Sequence, residues 1–446
     1  MKRTYIQQMA DFVSSLKYED LPSDVVLQAK TCIIDALECN INTMTDERGE
    51  AAFLSPRKNL EGMRSTLFRK KAKADAADAA YYNSVKQSIT SRNDTSLNAL
   101  CHPGAVIVPT VIALAEEFNA SGKRIIEAVV AGYETMIRFG TFLVGRTNRA
   151  WRTTALFGPV GAAFAAAKIA GLDADGIASS ASFACHLLGG VNEWALSGTG
   201  EDVFQNANGA RNGILAMRLA KNGAKGCPTI LEGSGGLAAA YGIKDGYELL
   251  TKDFGKQWMI LNVIQKPMTS CIAVQNSCQT ALIILNRHPE IKFEDIDHVD
   301  FFIGRANYQQ FGCANNEIVE NIVQAIMSIA YGVANSIIYR SVDNLNYMPP
   351  YEPKVLAFMR KCTPYIDEEL TKKGGFPSRV SIFLKSGAVY TEEKDAVTPL
   401  TRDEVLKKFL VTASDEIGKT QAEKVFDSLI NLENLDSIDE VARLLG

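Results

Sequence analysis

The stretch GPVGAAFAAAKIAG, residues 158–171, consists mostly of glycine and alanine and carries one charged side chain. Side chains this small allow neighbouring helices to approach each other closely in a protein interior. The stretch therefore predicts a central, buried helix of a bundle, with a role in packing rather than in chemistry.

Helical spacing of apolar residues extends outward from this segment. Toward the N-terminus, Pro22 and Ser23 stand at a capping position, and Val26, Ala29 and Ile33 follow at helical spacing. We therefore predict that the chain is mostly helical up to about residue 258. The further helices are predicted over residues 108–118, 124–139, 158–169, 175–188 and 209–222.

After about residue 266 the pattern changes to the period-two alternation of strands. It occurs in HVDFFIG, residues 298–304, and in RVSIFLKSGAVYTEE, residues 379–393, where a Ser-Gly turn indicates a hairpin. Helices are predicted between these strands, over residues 316–339 and 353–369. This combination is typical of a small α+β domain.

The C-terminal tail returns to a helical pattern. At Thr401 the sequence T-R-D-E forms a capping box ahead of apolar residues at helical spacing. We predict a mostly α fold, with a large all-helical domain formed by residues 1–265 and completed by 401–446. Residues 266–400 form the smaller α+β domain of this prediction.

Composition limits the possible partners. The 446 residues are 47% hydrophobic and can bury a large core, while the net charge of -4 provides no basic field for nucleic acid or an anionic membrane. Polar residues such as Glu320 and Asn335 interrupt the longest apolar segment, 318–338, which predicts a core helix rather than a membrane span. The first residues lack the features of a signal peptide, so we predict a cytoplasmic protein.

The sequence contains no metal or cofactor motif. The nine cysteines form no C-x-x-C pair and are predicted to be reduced, small and buried. No phosphate-binding loop occurs, and the glycine loops at 198–203 and 233–236 do not follow a strand of a βαβ unit. We therefore predict that the protein uses no metal and no organic cofactor.

Several segments together resemble the MmgE/PrpD family, which includes 2-methylcitrate dehydratase, cis-aconitate decarboxylase and iminodisuccinate epimerase. The resemblance follows the family's order along nearly the whole chain. The segments that carry it are MADFVSSLKYEDLPSDVVLQAKTCIIDAL, HPGAVIVPTVIALAE, AVVAGYE, GPVGAAFAAAKIAGLD, GARNGILAMRLAKNGAKGCPTILEGSGGL, and SRVSIFLKSG followed by PLTRDEVLKKF.

The resemblance implies a helical domain, an α+β lid, an active site in the cleft between them and a homodimer. It also implies chemistry on small di- and tricarboxylates without metal or organic cofactor. A proton moves at a carbon next to a carboxylate, and elimination, decarboxylation or epimerisation follows. Such chemistry requires proton-transfer groups and cations that bind carboxylates.

Four positions keep the residues that the resemblance implies. SRNDT, residues 91–95, retains Asp94 and Thr95 of a D-x-D-D-T motif, His102 stands in an H-P-[SG] motif, and Lys266 is the lysine at the edge of the lid. The resemblance implies that His102 acts as base or acid and that Lys266 binds a carboxylate. Without the resemblance, His102 could equally be a residue at the start of a helix that is hydrogen-bonded to the backbone, and Lys266 could be an ordinary surface lysine.

Other positions depart from the family pattern. Ser91 and Asn93 replace two aspartates, Arg152 in AWRTT replaces a second histidine, and DVFQNA places Asp202 and Gln205 where a lysine and a histidine are expected. The replacements Arg152 and Asp202 carry full charges of opposite sign, so the formal charge of the site is redistributed rather than lost. This favours retained function on an altered substrate.

Arg152 and Asp202 each allow two interpretations. Arg152 can bind a carboxylate through two N–H groups, with Trp151 shielding one side, or it can belong to a solvated charge run. Asp202 can act as a general base, but pairing with Arg152 or Lys266 is the interpretation that we favour.

Several polar residues are predicted to line the pocket, and Asn206 is a further polar candidate. The predicted substrate-binding residues are Ser91, Asp94, Thr95, Gln205 and Asn208. His186 lies in an apolar segment and is predicted to be a core histidine.

These residues predict a metal-independent lyase or isomerase of the dehydratase, decarboxylase or epimerase type. It would act on a small carboxylic acid through His102, Lys266, Arg152 and Asp202. A standard 2-methylcitrate dehydratase is disfavoured because expected polar groups are missing. The alternatives are an inactive, dimeric ligand-binding homologue and a biosynthetic enzyme for an elaborated substrate.

Overall fold

The computed structural model describes residues 3–42, 44–342 and 347–446. Their architecture is mostly α with a smaller α+β part, which confirms the predicted fold class. The first part of the chain forms α1 (Tyr5–Ser15), α2 (Ser23–Ile41), α3 (Glu47–Leu54), α4 (Ala76–Ile89), α5 (Gly104–Phe118), α6 (Gly122–Leu143), α7 (Thr153–Ile169), α8 (Ala174–Ala184), α9 (Glu193–Ser197), α10 (Asp202–Lys221) and α11 (Leu237–Ala240). The rest forms α12 (Ile272–Arg287), α13 (Arg305–Tyr308), α14 (Ile322–Met327), α15 (Ile329–Tyr339), α16 (Pro353–Met359), α17 (Glu368–Lys373), α18 (Arg402–Ile417), α19 (Lys419–Ile430) and α20 (Asp439–Leu445).

Eight short strands accompany these helices in the described ranges. The strands are β1 (Ser65–Leu67), β2 (Ala72–Ala74), β3 (Thr95–Ser96), β4 (Val263–Ile264), β5 (Ile296–Ile303), β6 (Cys362–Ile366), β7 (Ser378–Leu384) and β8 (Val389–Lys394). Within the same ranges, no helix is both long enough and apolar enough to cross a bilayer.

Helix α7 lies at the centre of the helical part. All of its residues from Thr154 to Ile169 are buried, and α5, α6, α8 and α10 pack around it. A Cβ atom at Gly132 of α6 would lie 2.9 Å from the Cβ of Ala165, and one at Gly213 of α10 would lie 2.6 Å from the carbonyl carbon of Ala162. Real side chains do not approach so closely, so the small residues are what bring these helices together, as the glycine- and alanine-rich run predicts.

The α+β part is built on one four-stranded sheet of order β6-β5-β7-β8. Strand β5 pairs in parallel with β6 and antiparallel with β7, and β7 forms the predicted hairpin with β8. Alternate residues Val299, Phe301 and Ile303 of β5 are fully buried, as the period-two pattern predicts. Helix α12 packs on β7 and β8 of this sheet.

The predicted helices differ in extent from those of the structure, most clearly at α10, which begins at Asp202 rather than at residue 209. Two of them are also interrupted. The one predicted over residues 353–369 is divided into α16 and α17 by β6, because pairing with β5 overrides the local pattern. Pro364 is tolerated there because β6 is an edge strand. The helix predicted over residues 316–339 begins only at Ile322 and is interrupted at Ser328, whose hydroxyl caps α15.

The C-terminal tail packs against α2. The hydroxyl of Thr401 accepts a hydrogen bond from the backbone N–H of Glu404, which completes the predicted capping box. Lys408 Nζ lies 2.7 Å from Asp35 Oδ1 of α2, so the first tail helix is fixed by a charged contact as well as by apolar packing.

Candidate active site

A cavity of about 390 Å³ lies where β3 and the first residues of α7, α10 and α12 meet. The antiparallel pair β3–β4 places Thr95 opposite Ile264, and so brings the segment before His102 next to the segment before Lys266. The cavity therefore unites residues that are distant in the chain. Its lining includes the predicted residues Ser91, Thr95, His102, Arg152, Asp202 and Lys266.

His102 lies in this cavity with one ring nitrogen already bonded. Nδ1 is 3.0 Å from the backbone oxygen of Asp94 and 3.1 Å from Thr95 Oγ1. A carbonyl oxygen only accepts hydrogen bonds, so the proton is on Nδ1 and Nε2 carries a lone pair. In the described part of the chain, no side chain or backbone group bonds to Nε2.

The electrostatics of the cavity keep this imidazole neutral. Burial, followed by the positive charges of Lys266 and Arg152, lowers the pKa of His102 well below its ordinary value of 6.5. The backbone N–H of His102 donates to Thr154 Oγ1 at 3.1 Å, which fixes the residue at the start of the helix. His102 is thus a fixed, neutral imidazole with a free acceptor nitrogen.

Lys266 is a buried cation that lacks an anionic partner. Its side chain is only 1% exposed, and Nζ donates to the backbone oxygens of Ser91 at 2.9 Å and Ser270 at 3.3 Å. Across the described ranges, no carboxylate lies within ion-pair distance of Nζ. Burial lowers the pKa of Lys266 to about 8, and one of its three N–H donors remains available for a ligand.

Arg152 is held in the cavity wall by polar and aromatic contacts. One guanidinium nitrogen donates to Asn206 Oδ1, and Nη2 lies 3.7 Å from Asp202 Oδ2, so the favoured pairing of Asp202 with Arg152 is present. The guanidinium carbon lies 5.7 Å from the ring centre of Trp194, within cation–π range. The shielding aromatic residue is therefore Trp194 rather than the predicted Trp151, although Trp151 also lines the cavity.

Cationic groups outnumber anionic groups at this site. Asp202 lies between two arginines, since Arg48 Nη1 is 3.9 Å from its second carboxylate oxygen. Burial raises the pKa of Asp202, and Arg152 and Arg48 offset part of that rise. Lys266 adds a further positive charge, so the cavity is suited to bind an anion.

The remaining wall of the cavity is largely apolar. Its apolar residues are Leu100, Val144, Trp151, Trp194, Ile272, Ala273, Ala306, Ile326, Met327 and Phe376. Such a wall excludes water and strengthens the electrostatic interactions inside the cavity.

Asp94, which is predicted to bind the substrate, does not line the cavity. The buried carboxyl group accepts hydrogen bonds from the backbone N–H of Gly104 at 2.8 Å and from the hydroxyl of Tyr133 at 2.6 Å. Burial raises the pKa of Asp94 to about 7. Its carboxyl group binds the start of α5 and its backbone oxygen positions His102, because the chain turns the side chain away from the cleft.

Gln205 and Asn208 also lie outside this cavity, contrary to the prediction. They line a second cavity of about 290 Å³ beside Gly189 and Gly190. Asp202 and Asn206 are one helical turn apart and share the face of α10 that meets the main cavity, whereas Gln205 and Asn208 lie on another face. Of the three amide residues considered in this segment, only Asn206 reaches the main site.

Three further residues differ from expectation. His186 is exposed rather than part of the core, and Cys227 is exposed rather than buried. Cys271, which sequence patterns did not indicate, lines the main cavity at the N-cap of α12. The sequence feature that could have indicated Cys271 as a site residue is its position, five residues after Lys266 at the predicted domain junction. Among the described residues, no group of three or more histidine, cysteine or acidic side chains could hold a metal ion.

Comparison with known proteins gives two family matches and several relatives. The sequence profile of the MmgE/PrpD N-terminal domain matches residues 7–250, and that of the MmgE/PrpD C-terminal domain matches residues 268–432. The chain is 25% identical to a cis-aconitate decarboxylase-like protein, oryM, of Aspergillus oryzae, over 98% of this chain and 96% of the relative. It is 25% identical to a cis-aconitate decarboxylase of Aspergillus terreus, over 98% and 95% of the two chains. It is 22% identical to cis-aconitate decarboxylase of Homo sapiens, over 100% and 95%.

Proposed function

The chain belongs to the MmgE/PrpD family, and from this premise we propose that it is a metal-independent lyase for a small substrate with two or three carboxylates. Decarboxylation is the reaction that we favour, because the curated relatives are named cis-aconitate decarboxylases. The observation that carries the proposal is the presence of His102, Lys266 and Arg152 in one cavity.

The two cations bind the carboxylates that the substrate retains. Lys266 offers its remaining N–H, and Arg152 offers the guanidinium N–H groups that Asn206 and Asp202 do not use. Both groups are already buried, so the free-energy cost of removing water from them arises on folding and not on substrate binding. A bound dicarboxylate therefore gains strong contacts without reorganisation of the site.

The carboxylate that leaves is placed against the apolar wall. When the carbon–carbon bond breaks, its electron pair moves toward the retained carboxylates, where Lys266 and Arg152 stabilise the added negative charge. CO2 is uncharged and departs from apolar surroundings. The electron-rich carbon then takes up one proton, and His102, whose free Nε2 can accept protons, takes part in the delivery of that proton.

Substrate screening by thermal shift, followed by mass analysis of the compounds that stabilise the protein, tests this proposal. We expect cis-aconitate or a related unsaturated tricarboxylate to raise the melting temperature and to be converted with release of CO2, while 2-methylcitrate is not dehydrated. His102→Gln should abolish conversion but retain binding, and Gln205→Ala, outside the cavity, is the matched control. Stabilisation by carboxylates without conversion of any of them would contradict the proposal and favour a binding homologue.

A further inference from the structure

Cys271 is a cavity residue whose chemistry the proposed function leaves unused. It stands at the N-cap of the sixteen-residue helix α12, and its backbone N–H donates to Ile326 at 2.9 Å. The thiol shares the cavity wall with Lys266, Arg152 and His102. Seven of the other cysteines are buried and Cys227 is exposed elsewhere, so Cys271 is distinct among the nine.

The groups around Cys271 favour an ionisable thiol. The neighbouring thiol of Cys313, which is fully buried, is the largest influence, and the charges of Lys266 and Arg152 act in the same direction. Together with the backbone N–H of Ala273 at the helix start, they outweigh burial and lower the pKa of Cys271 to about 7. A group with such a pKa exchanges protons efficiently near neutral pH.

His102 alone cannot supply the proton that the reaction requires. In the free cavity its Nδ1 proton is bound to the backbone oxygen of Asp94, and its Nε2 carries no proton. Such an imidazole can accept a proton but has none to give to a carbon atom in the cavity. The donor must be another protonated group. Lys266 is occupied, because Nζ donates to two backbone oxygens and offers its remaining N–H to a carboxylate, which leaves the thiol of Cys271.

We infer that Cys271 is a second catalytic residue: its thiol donates the proton that the substrate carbon takes up, and the free Nε2 of His102 then accepts a proton from water and passes it to the thiolate. The inference rests on the proposed function, because it specifies the donor in that reaction. When CO2 leaves, the electron pair of the broken bond forms the new carbon–carbon double bond, and the displaced pair bonds the proton from sulfur. The sulfur keeps the electrons of its S–H bond as a thiolate beside Lys266, and it takes a proton from water, by way of His102, when the product departs.

Substrate binding itself prepares the thiol for this role. The negative charges of the bound carboxylates offset those of Lys266 and Arg152, which raises the pKa of Cys271 above its value in the free cavity. The thiol is therefore protonated in the complex. After CO2 has left, the cations again stabilise the thiolate.

Alkylation of the reduced wild-type protein tests the thiol without any need for turnover. With iodoacetamide and peptide mapping, we expect the alkylation rate of Cys271 to rise with a midpoint near pH 7, and cis-aconitate to slow it at least fivefold. Cys227 serves as the exposed reference thiol. A midpoint of about 8.5 or higher, the ordinary range for cysteine, or a failure of Cys271 to react would overturn the inference.

Variants test the role in turnover. Cys271→Ser keeps the shape but cannot donate a proton near neutral pH, so we expect kcat to fall at least ~100-fold with KM changed less than about threefold. Cys278→Ala, in the same helix but away from the cavity, should retain activity. Cys313→Ala should shift the alkylation midpoint upward, because Cys313 acts through Cys271. Full activity of Cys271→Ser would overturn the inference and leave the proposed function intact. A wild type that converts no substrate would overturn the proposed function, and the alkylation experiment would still report the pKa of the Cys271 thiol.

Discussion

Two groups of buried charges in this protein are built in opposite ways. Between α2 and the C-terminal tail, Asp35 and Glu38 are each within hydrogen-bond distance of Lys408 or Arg92, and we call these four residues the tail cluster. In the cavity, Lys266 bonds only to backbone oxygens. The charges of the tail cluster are paired within the folded chain, whereas Lys266 has no anionic partner among the described residues.

Both pKa values are lowered, but the shifts favour opposite charge states: the charged form of Glu38 and the uncharged form of Lys266. In the tail cluster, burial would raise the pKa of Glu38, but Lys408 and Arg92 outweigh it and lower the pKa to about 2. In the cavity, burial prevails and lowers the pKa of Lys266 to about 8. Paired charges hold the tail in place, whereas an unpaired cation prefers to lose its charge until an anion binds. The comparison indicates which buried charges serve structure and which serve a ligand.

Removal of the cavity cation should have the largest effect. Lys266→Met keeps the length of the side chain but removes its charge, so we expect turnover to fall at least ~1000-fold, or about 4 kcal/mol. Steady-state kinetics on the substrate from the screen provides the measurement. Chemical denaturation should show stability retained, because the replaced ammonium has no anionic partner in the described structure. A variant with normal kinetics would contradict the account.

The equivalent change in the tail cluster should act on stability instead. Lys408→Met leaves two buried carboxylates with only Arg92 as a cationic neighbour, so we expect the free energy of unfolding to fall by about 3 kcal/mol. Urea denaturation gives this value directly. The kinetic constants of the remaining folded protein should be unchanged. A loss of activity without a loss of stability would contradict the distinction between the tail cluster and the cavity.

Arg152 should affect binding more than folding. Arg152→Gln preserves an amide contact with Asn206 but removes the charge near the bound carboxylate, so we expect an increase in KM of about 10- to 100-fold. Substrate titration of initial rates measures it. Unchanged KM in this variant would indicate that Arg152 serves only the wall of the cavity.

The pH dependence of stability should separate Lys266 from other lysines. Its folded pKa of about 8 lies below the ordinary value of 10.5, so between these values the unfolded state binds more protons than the native state. Raising the pH across this window therefore stabilises the wild type relative to Lys266→Met. Paired denaturation curves at pH 8 and 10.5 measure the difference, and parallel stabilities would show that Lys266 is not desolvated.

Residues of the second cavity should have the smallest effects. Gln205→Ala and Asn208→Ala change groups that lie outside the main cavity, so we expect kcat/KM within about twofold of the wild type. Asn206→Ala is the matched comparison on the same helix and should weaken binding, because it removes the partner of Arg152. Equal effects of all three changes would contradict the assignment of helix faces.

Sequence reasoning succeeded where the signal was local. The small residues of α7, the alternation in β5 and the capping box at Thr401 each depend on neighbours in the chain. It failed for β6, because only pairing with β5 makes that segment a strand. Long-range contacts of this kind leave no local pattern.

The site was predictable in part for the same reason. The motif positions predicted that His102, Lys266 and Arg152 belong to one site, and the structure shows them in one cavity. The motifs could not show which face of α10 meets this cavity, so Gln205 and Asn208 were assigned to the wrong cavity. Cys271 is set apart in the sequence only by its position five residues after Lys266. Its chemistry depends on Cys313 and Lys266, which only the folded chain brings near it.

Calorimetric titration of cis-aconitate into the wild type and Lys266→Met at pH 7.5 tests the central claim most directly. If the cavity holds an unpaired cation, the wild type binds the anion with net proton uptake, seen as a dependence of the heat on the buffer, because bound carboxylates raise the pKa values of Lys266 and Cys271. Lys266→Met should bind at least ~100-fold more weakly, since about 3 kcal/mol of charge-assisted contact is lost. Equal affinity of the two proteins, or binding without proton uptake, would contradict the account.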